Sequence, residues 1–190
     1  MIKNIGFALT GCFCAHQNVV VEIQNLVNKG YNIIPIISET TAKTDTRFGK
    51  AEDLKKQLLE ITGNQPLDSI VAVEPTGPKN MLDIVVVAPC SGNTLAKIAN
   101  GVNDTSVTMV VKSHVRNNKP VVIGVSTNDA LGQNFKNIAV LMATKNIYFV
   151  PFGQDDFQNK PKSLVADWSL IEQTMIGAMN KEQLQPVLLG

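Results

Sequence analysis

The sequence predicts a doubly wound α/β domain built on a mostly parallel sheet, and three observations carry that reading. Short all-apolar runs alternate with stretches of helical period, the pattern of strands buried on both faces between helices. A length of 190 residues gives one domain a sizeable core and leaves too little chain for a comfortable second one. Hydrophobic residues make up 44% and charged residues 17%, the balance of a globular chain rather than a disordered or coiled one.

Taken in order, Ile5 to Leu9 is the first strand-like run, followed by Thr10-Gly11 and a helix face of Val19, Val20, Ile23, Leu26 and Val27. Gly30 stands where a C-terminal cap belongs. Ile33 to Ile37 is the second strand; Pro35 removes a ladder donor and so predicts a bulge or an edge position. Ser38 to Lys50 has no clear period and reads as a loop, Ala51 to Ile61 as a polar surface helix ending at Gly63, and Ser69 to Val73 as a short strand. Glu74 to Asn80 connects to Ile84–Ala88, the most strand-like run in the chain. Pro89 to Asn93 forms a loop, and Leu95, Ile98 and Ala99 begin a helix closed by Asn100-Gly101. A helix follows over about Ser106 to Arg116, with Asp104 or Thr105 as cap. Val121 to Val125 is a buried strand, Ser126 to Leu131 a loop, and Ile138, Leu141 and Met142 mark a helix. Ile147 to Val150 is the last strand. An amphipathic helix at about 163–179 and an apolar tail at 184–190 complete a single domain over 1–190, a Rossmann- or flavodoxin-like three-layer sandwich.

Several function classes drop out. The formal net charge is +1 with no long run of one sign, which removes the electrostatic case for nucleic acid or a polybasic membrane contact. The start MIKNIGFALTG lacks a basic n-region and a small-residue cleavage site, so it reads as a strand rather than a signal peptide. No stretch approaches the roughly 18 apolar residues of a membrane span, and a cytoplasmic protein is expected. Three cysteines, Cys12, Cys14 and Cys90, are too few and odd in number for a disulfide framework. Cys12, Cys14 and His16 alternate without a second cluster to complete a tetrahedron, so no metal is expected.

In such a sheet ligands bind beyond the carboxyl ends of the strands, near the point where strand order reverses. The loops opening at Thr10, Ser38, Pro89 and Ser126 are rich in small hydroxyl, amide or glycine residues, which let backbone N–H groups approach an anion. Gly6 to Gly11 has the glycine spacing of a phosphate-binding loop, but Cys12-Phe13 stand where Lys-Ser/Thr are required. The run Pro89-Cys90-Ser91-Gly92-Asn93-Thr94 is more specific. It joins a buried strand to a helix and offers Ser91, Asn93 and Thr94 as donors or caps beside the small Gly92.

TGCFCA, the Ser38-Glu39-Thr40 turn and APCSGNTLAKIANG together resemble the flavoprotein superfamily of flavin-dependent cysteine decarboxylases and flavin prenyltransferases. Within it the chain is similar over nearly its whole length to the family of dipicolinate synthase B subunits. That likeness rests on ALTGCFCAH, TDTRFG, LDSIVAVEPTGPK, VRNNKPVVIGVSTNDALG, ATKNIYFVPFGQDD and LQPVLL. The resemblance implies work with a dehydrogenase-like A subunit that binds NADP, oxidising the small dicarboxylate dihydrodipicolinate to dipicolinate in the mother cell of a spore-forming bacterium. It implies a homo-oligomer and FMN as the superfamily cofactor. Gly11, Cys12, Ser38, Ser91, Gly92, Asn93 and Thr94 then fall at flavin phosphate or ring positions, with Ser126, Thr127 and Asn128 completing the site.

Departures from the superfamily pattern matter. No histidine lies between His16 and His114, the Pro-Ala-Met-Asn motif is replaced by Gly124-Val125-Ser126-Thr127-Asn128, and that loop has no arginine. Independent decarboxylation and prenyl transfer are therefore disfavoured, and flavin binding stays open, as does a non-catalytic substrate-binding or scaffolding role. A dicarboxylate calls for planar bidentate recognition, which singles out the only two arginines, Arg47 on the ligand side and Arg116 at a helix end. His16, at the start of the first helix, suits a neutral hydrogen-bonding role, because the helix N-terminus disfavours imidazolium.

Overall fold

The computed structural model describes residues 2–190. Five parallel strands form its centre: β1 (Asn4–Leu9), β2 (Asn32–Ile37), β3 (Ile84–Cys90), β4 (Val121–Thr127) and β5 (Ile147–Phe149). Their spatial order is β2-β1-β3-β4-β5, so the chain winds one way to β2 and the other way from β3 onward. The reversal falls between β1 and β3, which is where such a sheet opens a crevice. Strand β3 is buried at every position, as an all-apolar central strand must be.

Helix α1 (His16–Asn28) packs against β2 and β3 and beside α3 (Ala51–Thr62). On the other side α5 (Gly92–Ala99) and α6 (Ser106–Arg116) contact β4 and β3, with α7 (Phe135–Met142) beside α5. The result is the three-layer α/β arrangement. Pro35 lies on the sheet edge. Ile37 N–H points outward to the Leu67 carbonyl, and Pro35, two residues earlier, turns its missing N–H the same way.

Four local expectations are corrected. Ser69–Val73 is not a strand: Ser69 accepts from Ala72 N–H and caps the short helix α4 (Ile70–Val73), which buries only Val73. A short apolar run fits either state, and the cap decides it. The Ser38–Lys50 loop contains helix α2 (Glu39–Lys43), capped by Ser38. Ile147–Phe149 is not the last strand, because β6 (Phe152–Gly153) and β7 (Leu164–Ala166) follow, with β7 antiparallel to β4. The C-terminal helix α8 therefore spans Ile171–Met179 rather than starting near 163. Leu164 and Ala166 both face the core with Val165 turned outward between them, a period of two that a helical reading of Leu164 and Trp168 hid. The tail docks along β6, with Phe152 N–H donating to Val187 and Leu189 N–H to Phe152. Among the described residues no helix is long and apolar enough to cross a membrane.

Asp83 anchors the start of the central strand by accepting from Lys3 N–H (2.9 Å) and Asn4 N–H (2.8 Å). Burial raises its pKa, but these two bonds and the Lys119 charge outweigh that and leave it lowered. The charged form is thus favoured in the fold, and its stabilisation is lost as pH falls through the ordinary carboxylate range. Asp83→Ala is expected to cost about 1–2 kcal/mol in urea unfolding near neutral pH, discounted for its partial exposure. A loss that is the same at neutral and at strongly acidic pH would show that the charge is not what matters.

Candidate functional site

The four loops at the carboxyl ends of β1 to β4 meet. Thr10, fully buried, donates its hydroxyl to the Pro89 carbonyl (2.6 Å) and accepts from Ser91 N–H (2.9 Å), tying the β1 loop to the β3 loop. Ser38 N–H donates to the Leu9 carbonyl (3.0 Å), tying β2 to β1. Cys12 Sγ lies 2.8 Å from Ser126 Oγ, so the β1 and β4 loops touch over the end of β3. The bonds between the loops run through small polar side chains and backbone.

Most hydroxyls here already have work. Ser91 caps α5 through Thr94 N–H, and Ser38 caps α2 through Thr41 N–H. Asn93 and Asn128 are exposed, and their amides have no partner among the described residues. The room beside Gly92 is taken from within: a Cβ there would lie 2.6 Å from Asn134 Nδ2 and 2.7 Å from Thr127 Oγ1. Gly11 is open by comparison, with nothing nearer than 3.9 Å. Burial pushes the Cys12 thiol up to about 11, with the Ser126 contact opposing and Cys14 adding, and burial raises Cys90 as well. Both stay protonated near neutrality, which removes a thiolate nucleophile from the cleft.

His16 is buried at the first position of α1, with Nε2 2.7 Å from the Thr10 carbonyl. Burial lowers its pKa, the bond to Thr10 opposing. Beside it, between α1, α2 and α3, is a small open hollow of about 60 Å³. Arg47 is exposed, with its guanidinium 4.8 Å from the Phe48 ring centre, and Phe48 lines this hollow. Arg116 is exposed at the end of α6, away from the strand-end loops, and lines a groove shared with α5 and α7.

Two residues of the site carry a signal that reading by loops did not use. Glu39 Oε1 accepts from Ser106 N–H (2.9 Å) and Ser106 Oγ donates to the Ile37 carbonyl (2.7 Å), so the start of α6 is clamped to the end of β2. The second carboxylate oxygen of Glu39 is buried without a partner among the described residues. A glutamate directly after a capping serine was the available clue. Among the described residues no group of three His, Cys, Asp or Glu side chains could hold a metal ion.

The sequence matches the Flavoprotein family over residues 1–182. It is 48% identical over 187 residues to the dipicolinate synthase B subunit of Bacillus subtilis (strain 168), covering 98% of this chain and 94% of that protein. The crystal structure of the dipicolinate synthase B subunit from Bacillus halodurans superposes with a TM-score of 0.91 at 46% identity, over 99% of this chain and 96% of that one. Burkholderia xenovorans DmrB in complex with FMN shares the fold at 14% identity, with a TM-score of 0.70 over 94% and 96% of the two chains. The chain belongs to the Flavoprotein family, in the branch that contains the dipicolinate synthase B subunits.

Proposed function

We propose that this chain is the B subunit of a two-subunit oxidoreductase that aromatises dihydrodipicolinate. The dehydrogenase-like A subunit carries NADP: the ring loses a hydride to the nicotinamide and a proton to a base, leaving dipicolinate. The observation that supports this is the likeness over almost the whole of both chains at 48% identity. The protonated state of the cleft thiols fits it, since a hydride transfer needs no protein nucleophile. A homo-oligomer in the mother-cell cytoplasm of a spore former belongs to the same reading.

The strand-end cleft suits an FMN phosphate and ring edge. Gly11 is open, Ser91 begins α5 with the positive end of its dipole, and Asn93 and Asn128 have uncommitted amides. Gly11, Cys12, Ser38, Ser91, Asn93, Thr94 and Ser126 to Asn128 would hold it, with Gly92 serving to admit Asn134 and Thr127. When bound, a flavin would supply a redox-active ring held by these residues. The thiol–hydroxyl contact of Cys12 and Ser126 would part to admit the ring, a small loss for a bond of that type.

The test is reconstitution. The purified chain alone should form no dipicolinate, and mixing it with the A subunit should give NADP-dependent product. Full activity of the isolated A subunit would refute the assignment. A visible flavin absorbance band in the purified chain, lost in Asn93→Ala together with Asn128→Ala, is expected from the cofactor assignment; a colourless preparation after FMN reconstitution would remove FMN without touching the subunit reading.

A further inference from the structure

The run Cys12-Phe13-Cys14 brings two thiols together in a way the proposed chemistry does not use. Cys12 Sγ and Cys14 Sγ lie 3.9 Å apart, on residues that flank a single phenylalanine. Backbone bonds hold the first of them on both sides: Cys12 N–H donates to the Thr10 carbonyl (2.8 Å), and the Cys12 carbonyl accepts from Ala15 N–H (3.1 Å). Phe13 to Ala15 form a short 3-10 turn that leads into α1, and the Phe13 ring meets His16 edge-on with 5.4 Å between centres. Residues on either side of one helical residue have Cα atoms about 5.4 Å apart, from the radius and rise of a helix. That falls inside the window of roughly 4.4–6.8 Å that a disulfide accepts. The sulfurs have only to close from 3.9 Å to about 2.05 Å, a distance that side-chain rotation covers.

The two thiols differ in ways that give them separate tasks. Cys14 is exposed, whereas Cys12 is half-buried with its sulfur 2.8 Å from Ser126 Oγ. An oxidant arriving from solvent therefore meets Cys14 first, with Cys12 waiting beside it. Burial holds Cys12 as the thiol and so protects it from direct oxidation. Cys90, the third cysteine, is wholly buried at the end of β3, and burial keeps its thiol protonated too.

We infer that Cys12 and Cys14 are a reversible redox pair, oxidised by peroxide to a disulfide that takes Cys12 away from Ser126 and unlatches the β1 loop from the β4 loop. In the first step hydrogen peroxide oxidises Cys14 to a sulfenic acid. An S–O bond forms, the O–O bond breaks, and one water leaves with the thiol proton. In the second the Cys12 sulfur attacks Cys14 Sγ. The S–S bond forms, the S–O bond breaks, and the departing hydroxide takes the Cys12 proton as a second water. Two thiols and one peroxide thus become one disulfide and two waters. The link encloses a single residue, so it gains little from loop closure and is easily reduced by other thiols. That suits a switch rather than a brace. In the reduced chain the Cys12–Ser126 contact is where the β1 and β4 loops touch over the end of β3. In the oxidised chain the Cys12 sulfur is committed to Cys14, and Ser126 Oγ is released. The inference needs neither the A subunit nor a flavin, so it stands or falls apart from the subunit reading.

The test treats the full chain with hydrogen peroxide, removes the excess, and counts free thiols in denaturant with an alkylating reagent. The three thiols should fall to one, Cys90. The peptide that carries Cys12 and Cys14 should lose two hydrogens and gain no oxygen, and excess reduced glutathione should restore all three thiols. Cys14→Ser should keep both of its thiols under the same treatment, and its exposure makes the variant a safe one for the fold. In NMR the amides of residues 126–128 should shift along with those of 11–16 when the parent is oxidised, and return on reduction; in Cys14→Ser neither set should move. Three thiols surviving peroxide, oxygen added to Cys14 without a link, a link between two chains, or a link to Cys90 would overturn the inference. So would a Cys12–Cys14 disulfide that leaves residues 126–128 unmoved, because the pair would then control no latch.

Discussion

Replacing Thr10 with valine is expected to destabilise the protein by about 2–4 kcal/mol, although it changes neither side-chain volume nor charge. Valine fills the same space, so the packing of a fully buried position survives. What disappears is the hydroxyl that donates to Pro89 O and accepts from Ser91 N–H. Both backbone groups are left in a water-poor place, and an unsatisfied buried donor or acceptor costs about 1–3 kcal/mol. The urea midpoint should fall with an unchanged slope, because the surface exposed on unfolding is the same. Thr10→Ser keeps the hydroxyl and loses one methyl, so it should retain most of the stability. The consequence for the site is larger than the number suggests. Ser91 begins α5 and Pro89 lies at the end of β3, so the position of the third loop relative to the first depends on that hydroxyl. Valine at Thr10 should therefore also weaken partner-supported activity when the protein is fully folded. A valine variant as stable as the original would mean that water satisfies both groups and that the loops are not held this way.

The sheet was legible because its signal is local. Ile84–Ala88 and Val121–Val125 are all-apolar runs of strand length, and burial on both faces leaves that signature in the residues themselves. The helix at about Ser106–Arg116 was legible because cap candidates, Asp104 and Thr105, precede it; the structure uses Thr105, in a reciprocal box with Thr108. Ser69–Val73 and Leu164–Ala166 were misread for opposite reasons. Each is too short for periodicity to separate helix from strand, and their states are set by a cap in one case and by pairing with β4, far away in sequence, in the other. The four converging loops could be named from the rule for parallel sheets. Their bonds could not, because Thr10–Pro89, Cys12–Ser126 and Glu39–Ser106 join residues separated by 67 to 114 positions. The hollow beside His16 was equally invisible, since it depends on the way the turn at Thr46–Gly49 folds back on α3.

The second large effect is acid sensitivity centred on His114. The side chain is buried on the inner face of α6, and burial first, with the Lys119 charge adding and Asp83 opposing, pushes its pKa down from 6.5 to about 4. Its Nε2 has no partner among the described residues. Below the ordinary value the unfolded chain takes up a proton that the folded chain refuses, so stability is full above about pH 6.5 and drains away until about pH 4. The gap corresponds to about 3 kcal/mol from this residue. His16, whose pKa is also lowered, works in the same direction. His114→Leu keeps an apolar group of similar reach in the site and removes the titration. Its urea midpoint should therefore drop less than that of the parent between about pH 6.5 and about pH 4, by an amount equivalent to those 3 kcal/mol. Parallel pH dependences in the two proteins would show that His114 takes up its proton without disturbing the fold. The effect reaches the site because α6 is one stiff element. Its buried histidine is near one end, and at the other Ser106 is clamped by Glu39 and Ile37 to the strand end where the β2 loop begins. Protonation that loosens the helix thus loosens the second of the four converging loops, and loss of partner-supported activity in acid should set in before global unfolding does.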